Sequence, residues 1–220
     1  MANLVEETAL LAYRDDTGRN AVQHLELGLA GAALLELTLA GRIDVDTSGR
    51  VVVLNPGPTG HPVTDTCLAR ISADKPRKAK SWVQKLSRGL KNQVLETLVD
   101  QHILTHHRDA VLGFIPFNRY RPADARVEAD IRSRLEQAVT HRVGIDERTA
   151  ALAGLVYATQ MEKIALPGHK RREARKTLKE ISETSWATTA TKKAIQAAQA
   201  AVTASIAAAA SAGAASGGSS

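Results

Sequence analysis

Apolar positions along the chain fall into a few distinct rhythms. Leu90, Val94, Leu95, Leu98 and Val99 recur at three- and four-residue spacing. Val127, Ile131, Leu135 and Val139 do the same between Asp124 and His141, so both stretches predict amphipathic helices. Leu25–Leu39 is apolar on most faces and predicts a buried central helix. Its small residues Gly28 and Gly31 would let a neighbour pack closely, and Gly41 ends it as the residue after the C-cap. Leu4–Tyr13 reads as a short helix or strand, and Asp15–Gly18 as a turn. Val63–Asp65 leads into a helix to about Ile71, with Thr64 or Asp65 as its N-cap. Trp82, Val83 and Leu86 mark a separate short helix. Asp146 is expected to cap an apolar helix over Thr149–Met161. His169–Ile181 reads as a basic helix, and Trp186 to about Ile206 as an Ala-rich one.

Two segments break the helical rhythm. Val45 and Val51–Val53 flank Thr47-Ser48-Gly49, which predicts a hairpin over Ile43–Leu54. A second hairpin is read from Ile103–Thr105 and Val111–Phe117, with His106–Ala110 as its turn. Pro116 and Pro122 restrict its returning arm to an edge. Each hairpin follows an apolar helix. The expected fold is mainly α, a helical domain around a small antiparallel β-sheet made of two hairpins. One domain covers residues 1–206, and 207–220 forms a frayed low-complexity Ala/Gly/Ser tail.

Composition narrows the class. Aromatics make up only 3% of the residues, so Leu, Val, Ile and Ala must build the core. The formal charge of +6 favours polyanionic partners, nucleic acid or anionic lipid. The single cysteine, Cys67, allows no internal disulfide and fits a reducing, cytoplasmic setting. The start of the chain, with Glu6 and Glu7 and no basic run, does not read as a signal peptide. The longest apolar candidate for a membrane span, Leu25–Leu39, carries Glu26 and Glu36, so no span is expected.

No phosphate-binding glycine loop, nucleophile elbow or zinc-protease helix is present, and neither catalysis nor a cofactor nor a metal is expected. His102, His106 and His107 cluster, but the helix should end near His102, so their spacing marks no helical face. Glu6/Glu7 and Asp15/Asp16 are expected to point apart or to solvent. Three features remain. One is the basic run Arg77, Lys78, Lys80, Lys85, Arg88 and Lys91, in which Arg88 and Lys91 at i,i+3 would share one helical face and one phosphate. The second is the arm Val111–Arg121. Its Phe114, Ile115, Phe117 and Tyr120, beside Arg119 and Arg121, suit a bilayer interface or an oligomer contact. The third, Lys170–Lys179, reads as a solvated face, with Glu173 and Glu180 interspersed.

Several segments also resemble the Golgi phosphoprotein 3 family. Val5–Leu11 followed by Arg14–Gly18 is similar to the start of that domain. Gly28–Ile43 resembles its most distinctive helix. Leu98–Thr105 and Val111–Pro122 resemble its second hairpin region, and Arg148–Leu152 and Trp186–Ile195 continue the likeness. The resemblance covers about residues 3–200. It implies a peripheral membrane protein that binds phosphatidylinositol 4-phosphate and acts as an adaptor, with a protein cargo and self-association through the hairpin as further partners. The family's phosphate pocket pairs a Trp and an Arg near the first helix with two Arg on a later one. The later positions fall on Arg88 and Lys91, with Lys85, Arg77 and Lys78 nearby. The first-helix Arg position is Ala30, and no Trp lies between Gly18 and Gly31. Helix, helix, hairpin also describes a winged-helix DNA binder. Outward base readers on Leu90–Gln101 are few, mainly Lys91, Asn92 and Gln93, so nucleic acid is the lesser expectation.

Overall fold

A computed structural model describes residues 2–14, 16–111, 115–183 and 189–216. The chain folds as helices around two small antiparallel sheets. Helix α1 (Leu4–Ala12) begins with a capping box. The Asn3 carboxamide accepts from the Glu6 amide at 2.9 Å, and the Glu6 carboxylate accepts from the Asn3 amide at 3.0 Å. Helix α2 (Leu25–Leu39) occupies the span that its apolar pattern predicts. Gly41, at φ +63°, lets the chain reverse. Its amide reaches the Thr38 carbonyl and the Arg42 amide reaches that of Leu37, closing a Schellman motif.

Helix α2 is the hub, packed against α1, α3 (Pro62–Ser72), α4 (Ala79–Asp100), α6 (Glu147–Ala158) and α9 (Thr189–Ser216). Its glycines make the close approaches that the sequence suggested. A Cβ on Gly31 would lie 2.3 Å from Val202 of α9, and one on Gly28 would lie 2.6 Å from the Thr159 methyl. The core is almost wholly aliphatic, with Trp82 as its largest buried side chain. α5 (Ala125–His141), the short α7 (Glu162–Ala165) and α8 (Arg171–Glu183) complete the helical shell.

The first hairpin pairs β1 (Ile43–Val45) with β2 (Arg50–Val53). Arg77–Lys78 adds a third strand, β3, against β2, a pairing the sequence does not signal. The second hairpin forms a separate two-stranded ribbon of β4 (Leu104–Val111) and β5 (Ile115–Pro122). Its turn is not at His106–Ala110. Those residues pair in register with Tyr120–Pro116, and the reversal falls at 112–114, outside the described residues. The polar run is read as a turn because a ribbon with little packed surface lacks the apolar alternation that marks a strand.

Three other expectations change. α3 starts one residue before Val63, with Pro62 at its first position. Neither Thr64 nor Asp65 is its N-cap, because proline supplies the preset φ and lacks an amide to satisfy. α9 runs through Ala207 to Ser216, beyond the expected end near Ile206. Within it, Ile195–Ala212 is an uncharged stretch long and apolar enough to cross a membrane, which the expectation from Leu25–Leu39 overlooked. One third of that stretch is buried in the fold, with Val202 against Gly31. Trp186 lies outside the described residues.

Candidate functional site

The basic run occupies β3 and the first half of α4, and a break in that helix shapes it. Arg88 (ψ 112°) and Gly89 (φ +78°) leave helical geometry, and α4 resumes at Leu90. Only glycine adopts such a φ at little cost. Arg88 and Lys91 therefore do not share one helical face at i,i+3. Arg88 lies in the break and is exposed, and Lys91 follows it, half-buried.

The other cations divide into two groups. Arg77 donates to Asp74 through Nε and Nη2, both at 3.0 Å, and Lys85 pairs with the same carboxylate. These two partners hold the Asp74 carboxyl well below the usual range, and Asp74 in turn raises Arg77. Lys85 also lies 5.4 Å from the Trp82 ring, and the Arg70 guanidinium donates to the Lys85 carbonyl at 2.6 Å. Among the described residues, Lys78, Lys80, Arg88 and Lys91 make no ion pair. These four are the charges available to a partner.

The β4–β5 ribbon leans over the second half of α4. Asn92 and Glu96 share a polar cleft of about 360 Å³ with His106, Arg108, Asn118 and Tyr120. Val99 and Asp100 complete its lining, so Arg108 is the ribbon cation that shares this cleft with α4. Tyr120 roots the ribbon. It stacks on His106 at 4.7 Å, meets Tyr13 edge-on at 5.6 Å, and its amide donates to the Gly18 carbonyl at 2.8 Å. Phe117 lies between two guanidiniums, Arg19 at 4.4 Å and Arg119 at 5.0 Å. Ile115 stands opposite Val111 at the far end of the ribbon, and Phe114 lies outside the described residues.

Residues considered for chemistry are mostly absorbed by the fold. Cys67 is buried, and burial pushes its thiol up to about 12, which leaves it unreactive. Glu6 and Glu7 do not point to solvent. Glu6 meets His61 at 2.8 Å, and Glu7 meets Arg134 at 2.7 Å and Arg148 at 3.4 Å. Arg148 also holds Glu36 at 3.1 Å and the Ala2 carbonyl at 2.8 Å. Two neighbouring carboxylates thus tie the N-terminal helix to separate partners distant in the chain. On α8, Lys176 and Lys179 face Glu180 and Glu183, as a solvated stripe would, while Arg171 and Arg175 converge on the buried Glu162.

A cavity of about 730 Å³ is lined by Arg14 and Lys163, which the sequence reading passed over, and by Arg171, which it placed on a solvated face. They come from segments more than a hundred residues apart, and no local spacing signals them.

One stretch of 73 residues is 37% identical to a hydroxyacylglutathione hydrolase of Stenotrophomonas maltophilia. It takes up 33% of this chain and only 26% of that enzyme. The family model for Golgi phosphoprotein 3 (GPP34) matches residues 4–198, from the first residue of α1 into α9. With nearly the whole fold inside that match, the chain belongs to the Golgi phosphoprotein 3 family.

Proposed function

We propose that this protein is a peripheral membrane adaptor that recognises anionic lipid headgroups through the basic surface at the break in α4. The observation that carries this reading is the set of four cations without an ion pair among the described residues, Lys78 and Lys80 where β3 meets α4 and Arg88 and Lys91 at its break. Each Lys or Arg near an anionic leaflet contributes about 1 kcal/mol. Four give about 4 kcal/mol, enough for reversible, salt-sensitive attachment. Ile115 and Phe117 of β5 are the apolar residues that would enter the interface.

Phosphatidylinositol 4-phosphate is the headgroup suggested by the family resemblance. Ala30, at the family's first-helix cation position, is fully buried in α2. On this reading charge density, more than a single closed headgroup pocket, governs binding. Sedimentation with vesicles of neutral lipid, neutral lipid plus phosphatidylglycerol, and neutral lipid plus phosphatidylinositol 4-phosphate tests it. Pelleting with both anionic mixtures and release by salt is the expected result. Pelleting with neither at low salt would overturn the reading, and a gel-shift on duplex DNA would then show whether nucleic acid is the polyanion.

A further inference from the structure

The cavity beside the Gly18 loop is separate from the basic surface on α4. Five parts of the chain meet there: the loop before α2, α5, the segment from the end of α6 through α7, the start of α8, and Ile206 of α9. Its volume of about 730 Å³ lies in the range of small-molecule sites, about 300–1,000 Å³.

The lining has two characters. Val22 and Met161 are buried, and with Ile164 and Ile206 they form an aliphatic and thioether wall. None of the lining residues is aromatic. Cations dominate the rim. Arg14 and Lys163 are exposed and make no ion pair among the described residues. Arg171 is only loosely held, 3.5 Å from Glu162 and 3.2 Å from the Gln160 carboxamide, while Arg175 sits closer on the same carboxylate. One buried carboxylate thus faces two guanidiniums, which leaves positive charge at the mouth. Asp16 is the one acidic residue in the lining, and Arg132 is tied down by Glu128 and by the Ile164 carbonyl at 2.5 Å.

We propose that this cavity seats a small amphiphilic anion. A phosphate or carboxylate head is taken by Arg14, Lys163 and Arg171, and an aliphatic body lies against Val22, Met161, Ile164 and Ile206. The loop that forms one wall also holds the ribbon, since the Gly18 carbonyl accepts the Tyr120 amide and a Cβ on Gly18 would lie 3.0 Å from Arg121. The seat therefore adjoins the element assigned to the membrane. Its chemistry stands whether the amphiphile comes from a bilayer or from solution; only a bilayer source rests on the function proposed above.

Titration calorimetry of the full chain with dodecyl phosphate, dodecanoate, dodecanol and inorganic phosphate tests the seat. The two amphiphilic anions should bind, and dodecanol and inorganic phosphate should each bind at least about tenfold more weakly. Arg14→Glu with Lys163→Glu, both exposed and so neutral to folding, should weaken dodecyl phosphate at least about tenfold. Arg88→Glu with Lys91→Glu should leave it unchanged even where vesicle pelleting is lost, which separates this proposal from the membrane reading. Dodecanol binding as tightly as dodecyl phosphate, no binding of either anion, or an unaffected Arg14/Lys163 variant would each overturn it. Protein passed over phosphatidylglycerol vesicles and then separated from them identifies the source. A carried phospholipid points to the bilayer, and dodecyl phosphate binding without carried lipid points to a soluble anion.

Discussion

Reversing Arg88 and Lys91 to Glu is the perturbation that bears hardest on the α4 surface. Neither side chain makes an ion pair among the described residues, and Gly89, with its positive φ, is the position in the break that a side chain would strain, so the fold should survive. Removing two cations costs about 2 kcal/mol at an anionic leaflet, and adding two carboxylates there costs up to about 2 more. At tenfold per 1.4 kcal/mol, the vesicle partition coefficient should fall by roughly 30-fold to 1,000-fold. The matching control is Lys176→Glu with Lys179→Glu on α8, which changes net charge by the same amount. α8 packs on α5, α6, α7 and α9, and charges beyond about 10 Å are screened at 0.1 M salt. That variant should change the partition by less than about threefold. Sedimentation with phosphatidylglycerol vesicles, beside a thermal melt of each variant, decides the matter. Equal losses in the two variants would mean that net charge alone drives binding. Undiminished pelleting of the α4 variant would refute the placement of the site.

Three further predictions concern the frame that holds these surfaces. Gly31→Ala drives a methyl to 2.3 Å from Val202 in a buried contact and should cost about 1–3 kcal/mol, read as a lower urea midpoint at unchanged slope. A neutral outcome would deny the close α2–α9 approach. Arg148→Met strips the shared partner from Glu7, Glu36 and the Ala2 carbonyl. Breaking a buried network costs about 3–5 kcal/mol, and because the Arg148 side chain is 22% exposed and Arg134 remains on Glu7, about 2–3 kcal/mol is expected in urea unfolding. Asp65 and Asp146 titrate below the ordinary carboxylate range despite partial burial that pushes them up, because Thr59 donates its amide and hydroxyl to Asp65 and the Thr149 amide donates to Asp146 at 2.7 Å. A depressed folded pKa gives stability that is present above the unfolded carboxylate value, about 4, and is lost as pH falls through the folded one. Urea midpoints should therefore hold from neutrality to about pH 5 and drop below about pH 4. Asp146→Asn keeps a capping oxygen and should shrink that drop; an identical acid profile would show that Asp146 does not contribute.

What the sequence made legible, and what it hid, follows from the distance between partners. α2 is read correctly because its signals are local, an all-round apolar run closed by Gly41. The break in α4 is also local: Gly89 separates the Trp82–Leu86 cluster from the Leu90 stripe, and its positive φ is the reason that Arg88 leaves the helical face. The ribbon misleads because His106–Asp109 carry strand geometry on polar side chains, and pairing with residues up to Tyr120 is what makes them a strand. Glu6 and Glu7 do point to separate partners, one of the two expected arrangements, but nothing nearby in sequence announces that these are His61, Arg134 and Arg148. The basic surface on α4 and the cavity differ in the same way. Charges clustered between Arg77 and Lys91 in sequence are visible at once, and the family likeness adds weight to Arg88 and Lys91. Arg14, Lys163 and Arg171 become a group only when α2, with two glycines admitting α9 and Thr159, draws the ends of the chain together. The packing that hides the cavity from the sequence is the packing that creates it, so a substitution such as Gly31→Ala should loosen the anion seat before it disturbs the basic surface on α4.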